Sequence, residues 1–167
     1  MRRIDNRSVI WREQDAPRDA AEQREAVLRG EGREEVRIST TPAGRVVATL
    51  VLDLRERRRS IPGYVRAVKQ WVAAALASVG VPGHLREKLP GVWVGDREVA
   101  ATAISFKKWV TAGGASIEPG PAGEALLRVA LRQKFEEIFG PTASGDAPPA
   151  LIIVEATGSS GGVGGGT

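Results

Sequence analysis

Residues 90–114, PGVWVGDREVAATAISFKKWVTAGG, restrict the local fold more than any other stretch of this chain. Val92, Trp93 and Val94 form a short β-type run, Gly95-Asp96 is a turn pair, and residues 99–106 are a second run of small and β-branched residues. Two such runs joined by a Gly-Asp turn specify a β-hairpin. The rest of the chain has to supply the sheet that this hairpin joins.

Upstream, residues 46–54 (VVATLVLDL) are a nearly continuous apolar run, the pattern of a strand at the centre of a sheet. Residues 35–39 suit a short strand, and Thr41-Pro42-Ala43-Gly44 supplies the turn between the two. The basic run RERRR at 55–59 ends the apolar pattern, leaving Ser60 placed to cap a helix with Pro62 in its first turn. Val65, Val68, Val72, Leu76 and Val79 then recur at three and four residues, so an amphipathic helix is expected to end at Gly80. Downstream, a short strand over 115–118 precedes a second helix, which places Leu127, Leu131, Phe135 and Ile138 on one face and closes at Gly140-Pro141. Trp71, Trp93 and Trp109 are expected in the core or against the hairpin.

The two ends differ from this middle. Residues 16–30 suit a helix between Pro17 and Gly30, yet Val27 and Leu28 are its only large apolar residues. Residues 1–33 are therefore expected to be a helical or partly disordered segment, residues 34–140 an α+β core, and residues 141–167 a Pro/Gly-rich tail. Within that tail, residues 150–154 form one apolar run suited to an edge strand.

No run of about 18 apolar residues occurs, so no membrane span is expected. The N-terminus lacks the apolar stretch of a secretory signal, which leaves the cytoplasm as the default location. There is no Cys in the 167 residues, which removes disulfides, thiolate metal sites and thiol nucleophiles together. No metal and no cofactor are expected. The net charge of +4 conceals a basic middle: residues 40–140 hold fifteen Lys and Arg against nine Asp and Glu. Such a surface attracts acidic partners. Nucleic acid is not expected among them, because neither aromatic interleaving nor a nucleic-acid fold signature accompanies the charge.

The wording of several of these stretches resembles the octanoyltransferase (lipoate-protein ligase B) family. Pro90-Gly91-Val92-Trp93-Val94 is similar to that family's hairpin opening, residues 98–100 occupy the register of its Lys-Ile-Ala strand, and Trp109-Val110-Thr111 is similar to its Trp-Val-Thr. Leu52-Asp53-Leu54 looks like the family's strand end, and residues 133–140, QKFEEIFG, like its closing helix. The resemblance covers about residues 34–140. It implies a lipoate/biotin protein ligase fold, α+β with a mixed sheet and helices packed on it, incomplete relative to the family. It also implies the family reaction, octanoyl transfer from acyl carrier protein to a lysine of a lipoyl domain in protein lipoylation, with both proteins as partners.

The same register removes the chemistry. In the family a Cys attacks the thioester and a Lys favours its thiolate. Here no Cys exists, Glu98 stands at the Lys position, and Gly113 stands where the family has a His. A carboxylate raises rather than lowers the pKa of a neighbouring thiol. No catalytic residue is assigned, and the chain is expected to be inactive alone; a non-catalytic module that binds acidic acyl carrier or lipoyl domains is the alternative. For Glu98 the competing readings are a base in a residual acyl pocket and a strand residue paired with Arg97 or Lys107. Gly44, Ala101, Thr102, Ala103 and Gly114 are the substrate-pocket candidates that the resemblance supplies. The small residues at 101–103 would leave room for an acyl chain, and they would equally suit packing under a helix. His84, the one imidazole, reads as a loop residue, Arg55, Arg57, Arg58 and Arg59 as a solvated loop or an anion site, and Thr111 as the nucleophile of a hydrolase alternative.

Overall fold

The computed structural model describes residues 8–14 and 20–145. In chain order these form β1 (Val9–Glu13), α1 (Ala21–Leu28), β2 (Glu35–Thr40), β3 (Val46–Val51), a 3-10 turn (Leu54–Glu56), α2 (Ile61–Ser78), β4 (Val92–Val94), β5 (Arg97–Lys107), β6 (Val110–Ile117), α3 (Glu124–Phe139) and β7 (Thr142–Ser144). The seven strands make one mixed sheet in the order β4-β5-β6-β3-β2-β1-β7, in which β1 runs parallel to both its neighbours and every other pair is antiparallel. This is the α+β mixed sheet that the sequence implied. The apolar run at residues 46–54 does sit centrally, with β2 on one side of β3 and β6 on the other.

Two features depart from expectation. Residues 9–13 lie inside the segment expected to be helical or partly disordered, yet they pair with β2 and β7, and Val9 and Trp11 are fully buried. Five residues ending in Arg12-Glu13 carry too little periodicity to announce a strand, and tertiary pairing supplies what local propensity does not. The second departure is β6, which begins at Val110 rather than near Ala115. Lys108 and Trp109 both take left-handed backbone conformations, φ 49° and 72°, and close a tight turn between β5 and β6 that lacks the usual glycine. The pairing of β5 with β6, from Ala100↔Ile117 to Lys107↔Val110, holds that turn in place. The 150–154 run and the Gly-rich end lie outside the described residues.

Side chains alternate across β3, and the alternation sets up two unequal layers. Val46, Ala48, Leu50 and Leu52 join the main core, while Val51 belongs to a second, smaller cluster with Ala20, Val27 and Val110. The main layer is built by α2 and α3. Ser60 caps α2, its Oγ accepting from the Gly63 N–H at 3.1 Å, and Val68, Trp71, Val72 and Leu76 are fully buried along one face. Trp71 donates its indole N–H to the Leu131 carbonyl at 2.7 Å and packs edge-on against Phe135. On α3 the buried stripe is Leu127, Leu131 and Phe135, continued by Phe139, which stacks on Phe135 with centroids 4.8 Å apart. Ile138, expected on that face, is instead exposed, because a spacing of four from Phe135 leads to Phe139. The opposite layer consists of α1, whose inward face is little more than Val27 and Leu28.

Candidate functional site

Where α1 only partly covers the sheet, a cavity of about 480 Å³ remains. Its floor is formed by Thr49 of β3, Ala103 and Ser105 of β5, and Ala112 and Gly113 of β6; Ala20, Ala21 and Arg24 form its rim. The period-2 alternation of β5 turns Ala103 and Ser105 toward the same side, and their small size makes the space. Arg24 reaches across from α1, its Nη1 donating to Ser105 Oγ at 2.9 Å. Its Nε is buried without a hydrogen-bond partner. The lining contains two hydroxyls, Thr49 and Ser105, and no carboxylate, imidazole or thiol. Such a space can hold a small apolar body with an acidic end, but it offers no nucleophile beside a base.

Ala103 lies in this cavity and is paired directly with Gly114. Thr102 does not belong to the same wall: the strand turns it to the other side, where its Oγ1 accepts from the Gly91 N–H at 3.2 Å. Ala101 is half-buried opposite Ser116, and Gly44 sits in the β2–β3 turn with φ +89° and open space around it. Five candidates of one sequence pattern are thus spread over two sides of a strand and a remote turn. Thr49, Ser105 and Arg24 were missed. Ser105 was legible from the alternation beyond Ala103, whereas nothing in the sequence ties α1 to β5.

The two positions that the resemblance sets against the family's Lys and His are occupied in different ways. At Gly113 the backbone has φ +112°, and a Cβ there would collide with the Ala103 carbonyl oxygen; one at Gly114 would collide with that of Ala48. The position is closed to any side chain, not merely short of an imidazole. Glu98 is half-buried with its carboxylate against Gly91. Neither partner anticipated for it is available, since Arg97 pairs with Glu118 and Lys107 with Glu25. Thr111 is fully buried, its Oγ1 bonded to the Tyr64 hydroxyl and to the Leu52 N–H, so the hydrolase alternative is withdrawn for lack of access. Burial drives the Tyr64 phenol well above its ordinary range, and the Thr111 bond offsets only part of that rise. His84 is exposed and contributes only its backbone, which bridges Trp93.

The basic run divides in two. Arg57 forms a fork to Glu34 at 2.8 and 2.9 Å and donates to the Phe139 carbonyl, while Arg55 grips Asp53 at 2.9 and 2.8 Å. Burial works against ionisation of Asp53 more than any other single influence, yet the Arg55 side chain and N–H together hold its carboxyl below the ordinary value. These pairs line a second, open cleft of about 750 Å³ between the 3-10 turn and the end of α3. Arg58 and Arg59 point outward and are exposed. Of the tryptophans, Trp71 is core, Trp93 lies under the Arg86 guanidinium at 4.7 Å, and Trp109, 38% exposed, is at the surface rather than in the core.

Residues 41–138 match the lipoyl protein ligase A/B catalytic domain family. The octanoyltransferase of Rhodopseudomonas palustris (strain HaA2) is 32% identical over 150 residues, covering 68% of this chain and 58% of that protein. The chain therefore spans little more than half the length of that relative. In fold it is similar to a bi-partite lipoate protein ligase from Thermoplasma acidophilum, with TM-score 0.60, 12% identity and coverage of 82% of this chain and 87% of that one. It is also similar to the biotin acetyl coenzyme A carboxylase synthetase of Helicobacter pylori, with TM-score 0.57, 12% identity and coverage of 79% and 76%. A sheet with the hairpin, the central strand and both core helices in family order leads to one assignment: the chain belongs to the lipoyl protein ligase A/B catalytic domain family.

Proposed function

We propose that this domain keeps the octanoyltransferase scaffold while lacking the family's transfer chemistry, and that it does not move octanoate unaided. The observation that carries this reading is Gly113, whose backbone excludes a side chain at the position that the resemblance assigns to a His. Two facts support it: no Cys occurs in the 167 residues, and Glu98 holds the Lys position with its carboxylate laid against Gly91. A thioester intermediate needs a thiolate, and the chain has no thiol to supply one. The partners follow from the family reaction, acyl carrier protein as donor and lipoyl domain as acceptor, and the role is in protein lipoylation in the cytoplasm. No helix among the described residues is long and apolar enough to cross a membrane. The pocket assignment narrows to the cavity beside Ala103 and Gly114.

The test is to incubate the purified protein with octanoyl-acyl carrier protein and a lipoyl domain and to follow the acceptor by mass. The acceptor stays unmodified on this reading; turnover well above background would overturn it. The second reading, a non-catalytic module for acidic carriers, is favoured by the outward half of the basic run.

A further inference from the structure

We propose that the end of the sheet formed by Arg58, Arg59, Lys108 and Trp109 is a docking surface for a protein face dense in Asp and Glu. The sequence alone does not gather these residues, since fifty positions separate Arg58 from Lys108. The structure does so through one main-chain bond, in which the Leu54 N–H donates to the Trp109 carbonyl at 2.7 Å. That bond fastens the start of the basic loop to the β5–β6 turn, and the Arg59 guanidinium lies over the Trp109 ring at 6.0 Å.

Free cations also occur singly, at Arg66 and Lys88; what sets this surface apart is that several stand together around one aromatic ring. Arg55 and Arg57 of the same run, and Arg12, Arg37, Arg45, Arg97 and Arg128 elsewhere, are matched to carboxylates within the fold. Arg58, Arg59 and Lys108 have no ion pair among the described residues and are exposed. Trp109 supplies an exposed aromatic ring beside them, in the tight turn that the pairing of β5 with β6 closes. Unpaired cations around an exposed aromatic are the composition of an interface core and its steering rim.

The surface rests on the proposed function only for the class of partner, so binding and transfer are read separately. The experiment titrates apo acyl carrier protein against the full chain at low and at high salt, for the wild type and for Arg59→Glu, Lys108→Glu and Lys88→Glu. Each substitution changes the net charge equally, and Lys88 lies in the loop before β4. Arg59→Glu and Lys108→Glu are each expected to weaken binding roughly tenfold, Lys88→Glu by less than about twofold, and added salt to weaken the wild type strongly. Equal losses in all three variants would overturn the assignment in favour of bulk charge. No binding by the wild type at low salt, or preferential binding of duplex DNA or anionic vesicles at this surface, would overturn it as well. Because apo carrier holds no acyl group, none of these results depends on whether octanoate can be transferred.

Discussion

The two faces of the sheet are built to different standards. Under α2 and α3 lie Trp11, Trp71, Phe135 and the buried aliphatics of β3, with aromatic rings in edge and stacked contact. Under α1 lie Ala20, Val27, Val51 and Val110, with Ala112 beside them and a cavity where larger residues would meet. Dense apolar packing makes the first face the source of stability. Small side chains and one short helix leave the second face able to accept a ligand. The loss of transfer chemistry proposed for the Gly113 side, with the α2/α3 layer intact, is what such a division permits.

If that contrast is right, truncations on the two faces differ in cost. Phe135→Ala removes the ring shared by Trp11, Trp71 and Phe139 and is expected to lower unfolding free energy by about 3–5 kcal/mol, read from denaturant midpoints. Gly113→Ala is expected to cost about 1–3 kcal/mol from backbone strain alone, with the collision at Ala103 added. A stable Gly113→Ala protein would mean that the position is open to a side chain and would remove the closure argued there. Val27→Ala on the α1 face is expected to cost about 1–2 kcal/mol and to loosen α1, seen as faster amide exchange at residues 21–28 while α2 is unchanged.

The smallest effect concerns pH. Asp53 has a folded pKa below its unfolded one, so its contribution is complete above the unfolded value and is lost as pH falls through the folded value. The stability advantage of the wild type over Asp53→Asn is therefore expected to hold at pH 6 and to shrink below about pH 4. An advantage that persisted unchanged at acid pH would remove the Asp53–Arg55 pair from the account.

The layer under α2 and α3 was legible because periodicity and burial coincide there: the Val and Leu spacing of α2, the Ser60 cap and the apolar run of β3 all act locally. The α1 face was not. β1 is a strand because β2 and β7 accept it, Lys108-Trp109 turns because β5 and β6 pair around it, and Arg24 meets Ser105 across 81 positions. None of these has a local signature. The candidate pocket shows the same split: the small residues were visible in sequence, but alternation sends Thr102 away from Ala103, and the closure of Gly113 depends on how closely β5 approaches β6. The basic run could be seen, yet only the fold shows that Arg55 and Arg57 are paired with carboxylates while Arg58 and Arg59 are not.

The central claim, a retained scaffold without its chemistry, is tested most directly by mass spectrometry of a lipoyl domain after incubation with this protein and octanoyl-acyl carrier protein. The account predicts an acceptor of unchanged mass, both for the wild type and for Glu98→Lys, because restoring the cation supplies no thiol. An octanoylated acceptor with the wild-type chain would contradict it.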